Sequence, residues 1–250
     1  MSLRVDKDNI YFVLPESRYS VSNRIDKYME EDFTLFIKTK IITDNLETEK
    51  EAFLIARNGM HSGISVYKDT FDSTCIAFTY WFKDKENTPS IKQVNYRLDE
   101  TEVLESNEYM MICDNFTDRK IACYVNRKLV GSILFEDMER QSYENGFYWL
   151  GCGSMIGPEE HRCVGEFDID MVFLLNKKIT MNEVIDLLDN YKTKYTHTVH
   201  KELKKLNKDF YLKENFGFFS EFSQHNRYKI WDISFNGNNP QLYFENNIYF

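Results

Sequence analysis

The sequence predicts an all-β sandwich of two antiparallel sheets with a helical and extended C-terminal appendage. Three observations lead to this prediction. Runs of β-branched and aromatic residues recur through the first two thirds of the chain, aromatic residues make up 16% of it, and helical periodicity appears only late. Many closely spaced strands without intervening helices favour a sandwich over a fold of alternating strands and helices.

The individual strands follow from the alternation of apolar and polar residues. Residues 33–41 alternate except at Phe36, where we expect a bulge, and residues 75–82 place Tyr80 and Trp81 on opposite faces. Polar turns separate the runs. The remaining strands are predicted at residues 53–56, 63–67, 109–113, 121–125, 147–151 and 167–175.

A helix is predicted directly after the last of these strands. Thr180 and Glu183 have the spacing of a capping box, and apolar residues follow at helical spacing. A second amphipathic stretch, residues 199–210, carries lysines that we interpret as a solvated helix face and not as an anionic-ligand patch. We therefore divide the chain into a sandwich domain at residues 1–190 and an appendage at residues 191–250, which packs on the sandwich or starts another module.

Composition limits the partners of this chain. Its formal net charge of −9 gives an average field that repels nucleic acid and anionic membranes, whereas a neutral ligand is unaffected. No stretch approaches the run of about 20 apolar residues that a membrane span needs. The first residues lack an apolar run, so we expect no signal peptide and favour a cytoplasmic location.

The five cysteines suggest thiols and not a disulfide framework. Their number is odd and their spacing matches no framework, which suits a reducing compartment. A disulfide between Cys152 and Cys163 is the second interpretation. Zinc is the weakest one, because His161 adds only a third ligand at an unusual spacing.

Three segments carry motifs that occur in the same order in a known family. Phe-Thr-Leu-Phe-Ile-Lys starts at Phe33, Tyr-Val-Asn-Arg at Tyr124, and Gly-Glu-Phe-Asp-Ile-Asp at Gly165, followed by an Asn and the Thr-x-x-Glu cap. Over residues 30–190 they resemble the laminin-G-like, pentraxin-related branch of the concanavalin A-like lectin and glucanase superfamily. Arg127 stands where that family usually has glycine.

The resemblance implies a concanavalin A-like jelly roll that binds a ligand. The fold also occurs in the receptor-binding part of clostridial neurotoxins, so it does not fix the function. The function that we expect is non-catalytic recognition of a glycan, as part of a larger surface-polysaccharide protein. The alternatives are a protein-interaction or targeting module that contacts the rest of a parent polypeptide, and a glycoside hydrolase of the laminarinase type. The sheet edges would also allow a homodimer.

Sugar recognition needs an aromatic face beside planar polar groups. A pyranose stacks its C–H face on a ring and forms hydrogen bonds with polar side chains through its hydroxyls. The sequence places these residue types on predicted neighbouring strands and loops. The predicted ligand-binding residues are Arg57, Asn58, His61, Tyr80, Trp81, Glu166 and Asp168.

Three acidic residues bear on the hydrolase alternative. Glu166, Asp168 and Asp170 alternate along one predicted strand, so their carboxylates share a face. Laminarinase-type glycosidases carry two such carboxylates, a nucleophile and an acid, about 5 Å apart. Asp170 stands where these enzymes have Glu, and it is one methylene shorter. We therefore predict no catalytic residue and keep Glu166 and Asp170 for the hydrolase alternative only.

No cofactor is predicted, although Ca²⁺ is a candidate ligand because oxygen-bearing side chains are abundant in the predicted turns. The candidate metal ligands are Asp72, Asp114, Asn115 and Asp118. Their spacing matches no EF-hand loop. Solvated turn carboxylates are the simpler interpretation.

The C-terminal tail is expected to find a sheet edge. Residues 231–239 resemble the segment that normally opens such domains, yet they follow the predicted helices. Apolar side chains of residues 241–250 would cost about 1.5–3 kcal/mol each if they were exposed. We therefore expect these residues to pair beside the N-terminal strand, or at the same edge of a neighbouring copy.

Overall fold

The computed structural model describes two packed sheets, two α-helices and a short 3₁₀ helix at Thr43–Asn45. The residues described are 3–5, 10–13, 32–57, 62–83, 86, 88–135, 139–140, 148–151, 165–175, 178–193, 216–221 and 241–243. The strands are β1 (Leu3–Val5), β2 (Ile10–Val13), β3 (Phe33–Ile41), β4 (Ala52–Arg57), β5 (Gly63–Lys68), β6 (Thr74–Lys83), β7 (Pro89–Arg97), β8 (Ser106–Asp114), β9 (Lys120–Val125), β10 (Lys128–Leu134), β11 (Glu139–Arg140), β12 (Tyr148–Leu150), β13 (Phe167–Leu175), β14 (Phe216–Glu221) and β15 (Gln241–Tyr243). The helices are α1 (Glu100–Leu104) and α2 (Met181–Thr193).

The strands form two antiparallel sheets, as the sequence predicts. In the first sheet the order is β13, β3, β8, β9, β10, and the far side of β13 pairs with β1 along its first half and with β14 along its second. In the second sheet the order is β7, β6, β5, β4, β12, β2, β15, with β11 beside the end of β6. The fold is therefore an all-β sandwich.

Aromatic side chains fill the space between the sheets. Phe33 of the first sheet stacks on Tyr80 of the second, with ring centroids 6.0 Å apart, and Phe82 stacks on Phe135 at 5.1 Å. All four rings are buried. Burial of each side chain of this size stabilises the fold by about 1.5–3 kcal/mol. Part of the high aromatic content of the sequence thus serves this core.

Helix α2 covers the outer face of the first sheet. Val184 and Leu188 of the helix pack on Phe36 and Phe173, whose rings stack with centroids 4.7 Å apart. The predicted capping box is present, because the amide of Glu183 donates to Thr180 Oγ1 and the amide of Thr180 donates to the Glu183 carboxylate. The second predicted helix, at residues 199–210, lies outside the described residues.

The bulge predicted at Phe36 is wrong. β3 pairs with β8 in one continuous register, and Phe36 faces outward as strict alternation requires. Its ring is buried because α2 lies over it. The bulge lies instead in β13, where the register with β3 shifts between Ile169 and Met171.

A two-residue turn joins β9 and β10. Asn126 and Arg127 have φ angles of 48° and 68°, the left-handed pair that a tight hairpin requires. The Asn126 side chain accepts from the amide of Glu108 and donates to Asn107. The guanidinium of Arg127 donates twice to the Glu108 carboxylate. These bonds explain how a residue other than glycine is held at position 127.

A short part of the C-terminal tail pairs with β2, near the N-terminus. β15 pairs antiparallel with β2, so that Leu242 lies opposite Tyr11. The pairing covers residues 241–243, and residues 244–250 lie outside the described part of the chain. Among the described residues, no helix has the length and apolar character needed to cross a membrane.

Candidate functional site

The structure separates the residues predicted to bind a ligand. Tyr80 is 1% exposed and its ring lies in the core, so the prediction that this ring stacks on a sugar is wrong. Trp81 faces away from the core, and its amide donates to Ser62 Oγ. The side chain of Arg57, and the residues Asn58 and His61, lie outside the described residues.

The predicted acidic residues lie in the other sheet. Asp168 is in β13 and forms an ion pair of 3.3 Å with Arg4, and Glu166 directly precedes that strand. Trp81 belongs to β6, in the second sheet. Because Trp81 and Asp168 face outward from opposite sheets, they do not form one binding surface.

Asp170, kept for the hydrolase alternative, is the extra residue of the β13 bulge. Its carboxylate accepts a hydrogen bond from Ser106 Oγ at 2.5 Å. Alternation predicts that Asp170 continues the row of Glu166 and Asp168. The bulge interrupts that row, because the pairing with β3 resumes one residue later.

The four candidate calcium ligands lie on two different turns. Asp72 lies between β5 and β6, and Asp114, Asn115 and Asp118 lie at the β8–β9 turn. Asp114 and Asp118 form ion pairs with Lys178 and Lys120. In the part of the chain that the structure describes, no three His, Cys, Asp or Glu side chains converge as a metal site would need. Calcium binding stays a prediction.

Three of the cysteines, Cys75, Cys113 and Cys123, are buried thiols. Burial raises the pKa of the Cys123 thiol well above its ordinary value, which disfavours the reactive thiolate. Cys152, His161 and Cys163 lie outside the described residues, so the structure does not bear on their pairing or on zinc.

An exposed aromatic side chain lies instead in the β5–β6 turn, residues 69–73, which we name the Asp69 turn. One carboxylate oxygen, Asp69 Oδ1, accepts from the amides of Phe71 and Ser73, both at 2.9 Å. These two bonds fix the backbone of the turn. Phe71 at its tip is 81% exposed, the highest value for a large hydrophobic side chain among the described residues.

A guanidinium lies next to this ring. The Arg97 Cζ atom is 6.0 Å from the Phe71 ring centroid, and its side chain is 57% exposed. Arg97 ends β7 and lies opposite Cys75 in the sheet register, which brings it beside the turn. It donates to Asp69 Oδ2. Asp69 therefore positions both the ring, through the backbone, and the guanidinium.

The charges of this surface are paired. Lys68 Nζ is 2.9 Å from Asp72 Oδ1, and Arg97 pairs with Asp69. Hydrogen bonds from the Ser73 amide, and then from Arg97, hold the pKa of Asp69 below its usual range. The Asp69 carboxylate in turn raises the pKa of Arg97. We name the group Lys68, Asp69, Phe71, Asp72 and Arg97 the Phe71 surface.

Two less exposed side chains adjoin the Phe71 surface. Cys75 Sγ is 3.9 Å from Asp69 Oδ2, and Tyr67 lies opposite Cys75 in the strand register. Burial, together with the Asp69 charge, raises the pKa of the Cys75 thiol, and burial and Cys75 raise that of Tyr67. Both groups are therefore neutral at physiological pH and act as packing.

Of this surface, sequence analysis identifies only Asp72. One signal is present, since a phenylalanine inside the polar turn Asp-Thr-Phe-Asp-Ser has no place in a strand pattern. The role of Arg97 has no local signal. It depends on the register between β6 and β7.

Comparison with known proteins gives the fold. No protein-family model and no curated protein matches the chain. Among solved structures, a provisionally named carbohydrate-binding protein from Bacteroides ovatus is 11% identical, with a TM-score of 0.54, 96% of this chain covered and 58% of the other. The binding domain of Botulinum Neurotoxin DC in complex with SialylT is 14% identical, with a TM-score of 0.51, covering 76% of this chain and 42% of the other.

A third structure, named HCR/D-Sa-GBL1/C, is also 14% identical, with a TM-score of 0.50 and the same coverage, 76% and 42%. The chain spans less than two thirds of the length of each of these structures. At such identities the likeness shows the fold alone. The likeness agrees with the two packed antiparallel sheets of this chain.

Proposed function

We propose that the chain is a non-catalytic carbohydrate-binding module and that the Phe71 surface holds the sugar. The exposed Phe71 ring, with the Arg97 guanidinium beside it, carries this proposal. An exposed aromatic ring costs free energy in water unless a ligand covers it. A pyranose offers a matching C–H face of about the same size.

The polar groups around the ring suit sugar hydroxyls. Arg97 uses part of its fork of N–H donors on Asp69 and keeps others on its exposed side. Asp72 is exposed, and one of its two oxygens contacts Lys68. A donor and an acceptor thus flank the ring. This is the combination that orients a sugar once it is stacked.

The names of two similar structures support the same proposal. The Bacteroides ovatus protein is named for carbohydrate binding, and the neurotoxin binding domain is in complex with SialylT. Neither structure identifies the sugar or the surface that this chain would use. The assignment of the chain to the laminin-G-like, pentraxin-related branch also stays part of the proposal.

The test is a glycan-array screen followed by calorimetric titration of the best ligand into matched variants. Phe71→Ala should weaken binding by about tenfold or more, because ring stacking contributes about 1–2 kcal/mol. Phe116→Ala is the control, since Phe116 is 73% exposed but lies on the β8–β9 turn. Equal affinities for the wild type and Phe71→Ala would contradict the proposed site.

A protein-interaction module of a larger polypeptide is the second candidate. Leu104 of α1 is exposed like Phe71, and the amide of Leu98 donates to Thr74 O, which holds the start of α1 close to the Asp69 turn. Two exposed apolar side chains at one end of the sandwich favour protein contact. A Leu104→Ser variant that keeps full glycan affinity would separate this candidate from the first.

A further inference from the structure

We propose that the Phe71 surface selects neutral sugars over acidic ones; the inference depends on the proposed glycan site. The observation behind it is that both cations of the surface already have a carboxylate partner. Lys68 pairs with Asp72, and Arg97 pairs with Asp69. The formal charges of these four side chains cancel.

An acidic sugar would have to compete with these carboxylates. Its own carboxylate would have to share Arg97 with Asp69, or Lys68 with Asp72, and would then lie close to a second negative charge. Asp69 cannot easily move away from the incoming carboxylate, because its other oxygen is held by the amides of Phe71 and Ser73. The net charge of −9 adds a repulsive field for any anion.

A neutral sugar meets neither obstacle. It stacks on the Phe71 ring, which carries no charge, and its hydroxyls use the remaining N–H donors of Arg97 and the second oxygen of Asp72. It brings no second negative charge close to Asp69 or Asp72. Its affinity should therefore be nearly independent of salt, whereas an ionic contact would weaken over an increase of ionic strength from about 0.05 M to 0.5 M.

Asp69→Asn is the variant that sharpens this inference. The amide oxygen of the substituted side chain can still accept from the Phe71 and Ser73 amides, so the turn keeps its two bonds. The negative charge beside Arg97 is lost. The variant should bind acidic sugars more tightly than the wild type by about tenfold, which lowers the ratio of neutral to acidic affinity.

The experiment uses methyl glycosides of glucose, galactose and mannose, each paired with its uronate, titrated into the full chain and followed by NMR. Wild type should bind the better neutral glycosides at least about tenfold more tightly than their uronates. Asp69→Asn should reduce the ratio of neutral to acidic affinity. A cooperative thermal unfolding transition would show that the variant is folded. Arg97→Gln, which removes the cation, serves as the second variant and should gain no acidic binding.

The possible outcomes distinguish a failure of the neutral-sugar selectivity from a failure of the proposed glycan site. A wild type that prefers uronates, with binding that Phe71→Ala abolishes, overturns the selectivity and leaves the glycan site intact. Sugar binding that Phe71→Ala does not change overturns the site itself. Both the selectivity and the site are supported if the wild type prefers neutral sugars with an affinity that does not depend on salt. Phe71→Ala should then lose the binding, and Asp69→Asn should reduce the ratio of neutral to acidic affinity.

Discussion

Two hairpin turns of this protein share one plan and differ in the position of a single arginine. In the Asp69 turn and in the β8–β9 turn, an aspartate accepts backbone amides, an exposed phenylalanine follows within two residues, and the aspartate pairs with a distant cation. In the first turn, Arg97 lies beside exposed Phe71. In the second, Arg119 lies 5.4 Å from the ring of buried Phe135 and donates to its carbonyl.

An exposed aromatic ring alone therefore does not define a binding surface. Both Phe71 and Phe116 are exposed, but only the first has an exposed guanidinium placed against it among the described residues. The arginine of the second turn helps to close the sandwich. The proposed ligand binding therefore belongs to the first turn, and we expect the second turn to contribute to stability.

The largest expected effect is on stability at the second turn. Asp114 is almost fully buried, accepts from the Thr117 amide and pairs with Lys178. Asp114→Ala should lower the free energy of unfolding by about 2 kcal/mol, because two charge-assisted hydrogen bonds are lost from a buried site. Asp69→Ala, at the more exposed turn, should lower it less. Urea unfolding measures both, and equal losses would contradict the comparison.

The two arginines should separate stability from binding. Arg119→Ala should lower the free energy of unfolding by about 1 kcal/mol, since its stem and guanidinium pack on Phe135. It should leave glycan affinity unchanged. Arg97→Ala should do the reverse, with glycan affinity reduced and thermal unfolding nearly unchanged. Paired calorimetry and thermal melts check this, and a stability loss confined to Arg97→Ala would reverse the assignment.

A smaller effect is expected on the loss of folding stability at acid pH. Burial opposes ionisation of Asp114, but the hydrogen bonds from Lys178 and from backbone amides outweigh it, so its pKa lies below its usual range. A lowered native pKa means that the unfolded chain binds protons first as the pH falls. The stability from Asp114 is therefore complete above about pH 4 and is lost below it, as the pH falls through the native pKa.

Melting temperatures between about pH 5 and pH 2.5 test this point. In Asp114→Asn the melting temperature should depend less on pH than in the wild type, because the titrating group is gone. Asp69→Asn should have the same effect, since the pKa of Asp69 is also lowered. A wild-type melting temperature that rises toward low pH would contradict the sign.

Alternation predicts the sheets well because each strand has one face on the core. It places Tyr80 and Trp81 on opposite faces correctly, but it does not say which face is inside. The outer face of β6 is also well buried, at Ala77 and Thr79, so hydrophobicity does not distinguish the two sides. The sequence pattern is therefore compatible with Tyr80 and Trp81 in one site, which the structure does not allow.

Features that depend on the pairing register between strands cannot be predicted from the sequence pattern. The capping box at Thr180 is local, and it is present as predicted. The bulge in β13 depends on how that strand pairs with β3, and the contact of Arg97 with the Asp69 turn depends on how β7 pairs with β6. The spacing of residues along one strand predicts neither of these two pairings.

The most direct test of the account is amide and guanidinium chemical-shift mapping with a neutral glycan found on the array. The largest shifts should fall on residues 70–73 and on the Arg97 Nε–H signal, and the signals of residues 115–119 should stay unchanged. The shifts at the Asp69 turn should disappear in Phe71→Ala. Shifts centred on residues 115–119 or on Trp81, with residues 70–73 silent, would contradict the central claim.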